Sequence, residues 1–147
     1  MALKSLTAVL TAALLFGAGQ RAVASDPEKA TIDCRASAGT CVKTIDGITI
    51  TFDISPKPVK VMNDLTFAVT LTTKDKPVRG ASVMIDLTMP GMFMGKNAVK
   101  LKEGTEGAHT GRGVIVRCPS GEKTWQASVV VRRADKTTIA AFTFEVI

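Results

Sequence analysis

The feature that most constrains the fold is an alternation of apolar and polar residues, which recurs along most of the chain. It occupies residues 48–54, 65–71, 83–89, 125–131 and 142–146. Neighbouring side chains of an extended strand point to opposite faces, so a period of two is typical of strands that bury one face. No comparable stretch repeats its apolar residues with the helical period. The sequence therefore predicts an all-β fold.

Turn residues separate these strands. Asp46 followed by Gly47 is a hairpin dipeptide, and Gly, Pro, Asp and Ser are concentrated in the other gaps. About seven short strands joined in this way predict an antiparallel sandwich of two sheets. Within it we expect Trp125 in the core, a strand at residues 114–116 and an edge strand at residues 98–101, whose lysines would discourage further pairing.

The first 24 residues have the layout of a secretory signal peptide. Lys4 precedes an uncharged apolar run, and Ala22 and Ala24 occupy the small-residue positions before a cleavage site. We therefore expect a periplasmic or secreted protein that begins at Ser25, with residues 25–46 as an N-terminal extension. The apolar run is shorter than the roughly 20 residues that span a bilayer, so no membrane span is expected after cleavage. Retention of the segment as an anchor is the alternative.

The charge distribution argues against nucleic-acid binding. The formal net charge is +6, but the basic residues are scattered along the chain and not massed in one block. Aromatic residues, which stack on bases, make up 5% of the sequence. We therefore expect a solvated basic surface and no nucleic-acid partner.

The chain has three cysteines, Cys34, Cys41 and Cys118. In an oxidising compartment this number indicates one disulfide and one remaining thiol. Proximity favours a hairpin bridge between Cys34 and Cys41. A bridge from Cys34 to Cys118 is the alternative, because it closes a longer loop and so removes more entropy from the unfolded chain. Cys118 is then either a small buried core residue or a soft-metal ligand.

The most distinctive segment is Met-Pro-Gly-Met-Phe-Met-Gly at residues 89–95. Thioethers are soft, neutral ligands that suit Cu(I), and they need no deprotonation. In an extended chain Met92 and Met94 lie on one side, so we predict a Cu(I) site formed by these two, with Met89 or His109 as a further donor. The alternative is that the methionines fill gaps at the end of the sandwich.

No catalytic pattern accompanies these residues. His109 is the only histidine, so a histidine-based zinc site and a catalytic triad both lack their parts. The sequence shows no paired carboxylates, P-loop or nucleophile elbow. We therefore expect no catalytic residues and no enzyme.

The stretch from Leu65 to Val146 resembles the YtkA-like domain family, whose relatives include FixH-type accessory proteins. The resemblance is carried by Leu-Thr-Phe-Ala-Val-Thr-Leu (65–71), the methionine string (89–95), Trp125 and the closing Phe-Thr-Phe-Glu-Val (142–146). It implies an immunoglobulin-like sandwich over residues 47–147, located in the cell envelope. It also implies a role in copper supply or respiratory-oxidase assembly, with Met89, Met92 and Met94 as the metal-binding positions. The alternative is an interaction module that binds an envelope protein without metal.

Overall fold

The computed structural model describes residues 30–147, which form nine β-strands and no helix. The predicted signal peptide lies outside the described residues. The strands are β1 (Cys41–Ile45), β2 (Ile48–Ser55), β3 (Leu65–Thr73), β4 (Lys76–Pro77), β5 (Ser82–Thr88), β6 (Ala98–Glu103), β7 (Ala108–Gly113), β8 (Thr124–Arg133) and β9 (Lys136–Glu145). The predicted all-β antiparallel fold is confirmed, with nine strands instead of about seven.

The alternation in the sequence becomes the division between core and surface. In β2 the residues Ile48, Ile50, Phe52 and Ile54 are all buried, and the polar residues between them are partly exposed. Trp125 of β8 is also fully buried, as predicted. Full burial of a large apolar side chain contributes about 1.5–3 kcal/mol, so the alternating strands supply most of the driving force for folding.

The strands form two layers that are joined at β6. The order across the whole sheet is β1-β2-β3-β7-β6-β5-β8-β9, with the short β4 paired to β3. The first part of β6 pairs with β5, and its last two residues, Lys102 and Glu103, pair with Thr110 and His109 of β7. The strand predicted at residues 98–101 is present, and these four residues pair with β5 alone. It does not end the sheet as an edge strand would, because β6 continues to Glu103 and its last two residues pair with β7.

A strand was predicted at residues 114–116, but these residues form none. The strand in this part of the chain is β7, which ends at Gly113. Along β7 the exposed Thr110 and Arg112 alternate with His109, Gly111 and Gly113. This strand therefore has no alternation of apolar and polar residues. A Cβ atom on Gly111 would lie 2.6 Å from Leu101 Cδ2 and 2.7 Å from the Lys100 carbonyl oxygen. The side chains of neighbouring strands fill the core above β7, so this strand lacks the pattern by which strands are recognised.

The N-terminal extension is hydrogen-bonded to β9, the last strand in the order across the sheet. The backbone N–H groups of Asp33 and Cys34 each donate to the Thr143 carbonyl oxygen of β9, at 3.0 Å. Cys34 forms a disulfide with Cys41 at the start of β1, which confirms the predicted hairpin bridge. Residues 41–45 are themselves strand β1, paired with β2. The extension is therefore part of the folded sheet structure.

The two layers contact each other through aromatic rings. Phe52 of β2 stacks on Phe142 of β9 with ring centroids 5.0 Å apart, and Phe144 lies 6.2 Å from the same Phe52 ring. Such aromatic pairs add about 0.5–1.5 kcal/mol beyond the burial of their area. Residues 30–147 contain no helix that could cross a membrane.

Candidate metal centre

A tight turn at residues 89–92 follows β5 directly. The Met92 N–H donates to the Met89 carbonyl oxygen at 3.1 Å. Pro90 occupies the second position of the turn, and Gly91 the third with a φ of 76°. This combination is typical of a type II turn, in which the third residue needs a positive φ. The turn reverses the chain at the end of β5 and fixes the position of the Met92 backbone.

The four methionines near this turn have different environments. Met89 is buried in the core. Met92 is 41% exposed, and Met94 is partly buried against the core. A surface groove of about 320 Å³ is lined by Met92 and Met94 together with Met84, which projects from the outer face of β5. The structure therefore gathers Met84, Met92 and Met94 along one groove and directs Met89 inward.

Cys118 brings a second type of sulfur to Met92. Its Sγ lies 3.5 Å from Met92 Sδ, although the two residues are 26 positions apart in the chain. Cys118 is 3% exposed and lies outside the Cys34–Cys41 disulfide, so its thiol is free. A thioether and a free thiol thus meet at the edge of the groove.

The surroundings of Cys118 favour its thiolate form. Its Sγ lies 3.0 Å from the Ser120 hydroxyl oxygen, and the Gly121 N–H donates to the Cys118 carbonyl oxygen at 3.0 Å. The hydrogen bond with the Ser120 side chain has the largest effect and lowers the pKa of the Cys118 thiol. The backbone groups of Ser120 and Glu122 lower this pKa further, while burial and the Glu122 carboxylate oppose them. Thiolate is the form of cysteine that binds metals.

His109 lies at the other end of the sandwich. Its side chain is fully buried, with Nδ1 3.1 Å from the Gly107 carbonyl oxygen and Nε2 3.1 Å from the Ala81 carbonyl oxygen. Ala81 precedes β5 and the methionine turn follows it, so the length of this strand, roughly 20 Å, separates them. The structure does not bring His109 to the methionines, because β7 does not pass their loop.

The assembled side chains suit a soft metal ion. Among residues 30–147 no three His, Cys, Asp or Glu side chains come together as a metal-binding group. The available donors are instead the thioethers that line the groove and the Cys118 thiol, which contacts Met92 but does not itself line the groove. Soft sulfur ligands of this kind select Cu(I) over harder divalent ions.

Met92 and Met94 line one groove together with Met84, which was not among the residues predicted for the metal site. The alternation along β5 indicates this arrangement. Met89 continues the buried series of Val83, Ile85 and Leu87, whereas Met84 lies on the opposite, outer face of the strand. No local signal joined Cys118 to Met92. In the segment after β7, Ile115 and Cys118 are buried, whereas Val116 is exposed.

The family comparison covers the strands that carry the loop. The model of the YtkA-like family matches residues 43–114, from β1 to the residue after β7. This range contains the methionine turn, Met84 and His109, and it ends before Cys118. Neither the curated proteins nor the solved structures include a match to the chain. The matched strands and the all-β fold agree, and residues 43–114 of this chain are a YtkA-like domain.

Proposed function

We propose that this protein binds Cu(I) in the cell envelope, with Met92 and Cys118 as the central ligands and Met94 as a third. The observation that carries the proposal is the 3.5 Å separation of Met92 Sδ and Cys118 Sγ. Met94 lines the same groove as Met92 and is placed two residues further along the loop. Compared with the ligand set expected from the sequence, Cys118 takes the place of Met89 and His109.

The separation of the two sulfurs is compatible with a shared ion. With metal–sulfur bonds of about 2.3 Å, two ligands of one tetrahedral ion lie about 3.8 Å apart. The observed 3.5 Å contact therefore needs only a small opening, which the exposed side chain of Met92 can provide. One thiolate and neutral thioethers would also match the single positive charge of Cu(I).

The location in the envelope rests on two features. Residues 1–24 have the composition of an export signal. The disulfide between Cys34 and Cys41 is of the kind that persists in oxidising compartments. The resemblance to envelope proteins linked to copper supply and oxidase assembly points to copper handling as the physiological role.

Competition with a Cu(I) chelator under anaerobic conditions tests the proposal. We expect the double variant Met92→Leu with Cys118→Ala to lose Cu(I) affinity by at least about tenfold, or about 1.4 kcal/mol. Leucine keeps most of the volume of methionine and removes its sulfur, so the packing changes little at that position. A second double variant, Met92→Leu with Met94→Leu, measures the contribution of the loop alone.

The matched control is Met62→Leu, which removes an exposed methionine that does not line the groove. It should bind Cu(I) as the wild type does. Thermal unfolding of every variant separates lost ligands from lost structure. Equal competition by the wild type and the Met92→Leu, Cys118→Ala variant would refute the metal site.

A second candidate function is that of an interaction module without metal. The observation that favours it is Phe93, which stands between Met92 and Met94 with 92% of its surface exposed. An exposed aromatic side chain next to a groove is a common anchor in protein–protein contacts. If no Cu(I) binds to the wild type, this function accounts for the loop.

A further inference from the structure

The outer face of β5 carries two adjoining grooves that share Met84. The first, of about 320 Å³, is lined by Met84, Met92, Phe93 and Met94. The second, of about 310 Å³, is lined by Met84 and Val130 together with Ser82, Lys100 and Arg132. Together they form one continuous surface that is apolar at the Phe93 end and basic at the Arg132 end. We call this surface the β5 face.

The basic side chains of the β5 face have no acidic partners. Ion pairs among residues 30–147 join Lys43 to Asp33, Lys57 to Asp53, Arg79 to Glu106 and Lys136 to Asp46. None of these pairs includes Lys96, Lys100 or Arg132. β5, β6 and β8 contain two acids, the half-buried Asp86, which lines the first groove, and Glu103 at the end of β6, whose carboxylate accepts a hydrogen bond from the Gly80 N–H. Lys96, Lys100 and Arg132 outnumber Asp86 along the two grooves, so the face has a net positive charge beside an exposed aromatic residue.

We propose that the β5 face docks an acidic segment of a partner protein. An apolar side chain of that segment would lie in the groove beside Phe93, and its carboxylates would face Lys100 and Arg132. Charge complementarity of this kind steers association and fixes the orientation of the partner. The surface includes Met92, so a bound partner would lie next to the proposed Cu(I) ligands; its role as a copper acceptor rests on the proposed function.

Two other occupants fit the β5 face less well. A symmetric dimer would place the basic ends of two identical patches close to each other, because both subunits of such a dimer use the same surface. An anionic membrane would attract the lysines, but a flat bilayer surface would leave the two grooves unfilled. A protein segment can fill the grooves and neutralise the cations together.

The experiment uses the copper-free protein and two synthetic peptides. One peptide carries a leucine between glutamates, and the matched peptide has glutamine at every glutamate position. Amide chemical shifts in NMR titrations report where each peptide binds and how tightly. We expect the acidic peptide to shift residues 92–101 and 130–132, and the glutamine peptide to bind at least about tenfold more weakly because the charged contacts are lost.

Charge reversal tests the site of binding. Lys100→Glu with Arg132→Glu should weaken binding of the acidic peptide by at least about tenfold. The control Lys74→Glu with Lys76→Glu makes the same change in net charge at an exposed turn away from this face, and it should retain binding. Phe93→Ala should weaken binding by about fivefold or more, since exposed aromatic anchors contribute strongly to interfaces.

Three results would overturn this proposal: no binding of the acidic peptide, equal effects of the two charge-reversal variants, or Phe93-dependent binding to phosphatidylglycerol vesicles without peptide binding. All of these measurements are made without copper. A failed Cu(I) titration would therefore leave the docking surface standing, and a failed peptide titration would leave the metal site standing.

Discussion

The Nε2 atom of His109 lies 3.1 Å from the carbonyl oxygen of Ala81, 28 residues earlier in the chain. The Nδ1 atom lies 3.1 Å from the Gly107 carbonyl oxygen, so whichever nitrogen carries the hydrogen, the buried imidazole of β7 donates to a backbone carbonyl. The single histidine thus has a structural contact at the end of β5 opposite the methionine turn. Because His109 is far from the methionine turn, a substitution of His109 should affect the stability of the fold and not the binding of Cu(I).

The first prediction concerns His109. We expect His109→Leu to lower the free energy of unfolding by about 2 kcal/mol, because a backbone carbonyl, that of Ala81 or of Gly107, loses its buried donor. Cu(I) affinity should stay within error of the wild type. Urea unfolding followed by the fluorescence of Trp125, the only tryptophan and fully buried, measures the stability. A loss of Cu(I) affinity as large as that of Met92→Leu would instead make His109 a ligand.

The second prediction concerns the ionisation of Cys118. The Ser120 hydroxyl stabilises the thiolate and lowers the thiol pKa, so Ser120→Ala should raise that pKa toward its ordinary value. Ultraviolet absorbance of the thiolate during a pH titration measures the change without interference, since Cys34 and Cys41 are bonded to each other.

The same shift has a consequence for stability. A thiol whose pKa is lowered by folding stabilises the native state above the unfolded pKa, and this contribution is lost as the pH falls through the folded pKa. Cys118→Ala should therefore lose the upward slope of stability with pH in that window. An unchanged slope would contradict the assignment of the shift to Cys118.

The third prediction concerns the close approach of β6 and β7. Gly111→Ala would place a methyl group 2.7 Å from the Lys100 carbonyl oxygen, where the backbone has little freedom to move. Overpacking of this kind costs about 1–3 kcal/mol, and we expect the upper part of that range. Gly39→Ala is the control, because no atom lies within 4 Å of the added Cβ. Equal unfolding midpoints for the two variants would show that β6 and β7 separate easily.

The fourth prediction concerns the disulfide. Replacing Cys34 and Cys41 together by serine should lower the free energy of unfolding by about 2.5 kcal/mol, the loop-closure entropy of so short a bridge. Thiol counting on the denatured, unreduced wild type should give one equivalent, from Cys118. Three equivalents would mean that the bridge does not form in the exported protein.

The fifth prediction concerns export. If residues 1–24 are a cleaved signal, protein recovered from a periplasmic extract should begin at Ser25. N-terminal sequencing decides the matter. Membrane-bound material that still begins at Met1 would show that the segment is kept as an anchor.

The sequence alone determined the fold class and most of the strands, and it favoured the short disulfide between Cys34 and Cys41 that the structure contains. Strand periodicity is a local property, so β2, β3, β5 and β8 follow from residues that are neighbours in the chain. The turn at Pro90 and Gly91 was predictable for the same reason. The strand β7 was not predicted because its inward positions hold His109, Gly111 and Gly113. These residues fit a strand interior only because side chains of neighbouring strands fill the space beside them.

Only the tertiary structure decided which sulfur atoms lie near each other. Met92 and Cys118 are 26 residues apart, and their contact depends on how the segment after β7 passes the end of β5. Likewise, the alternation along β5 separates Met84 from Met89, but the groove that joins Met84 to Met92 exists only once the loop folds back over the sheet. A ligand set is a matter of distances in space, and residue spacing specifies those distances only within a single strand or turn.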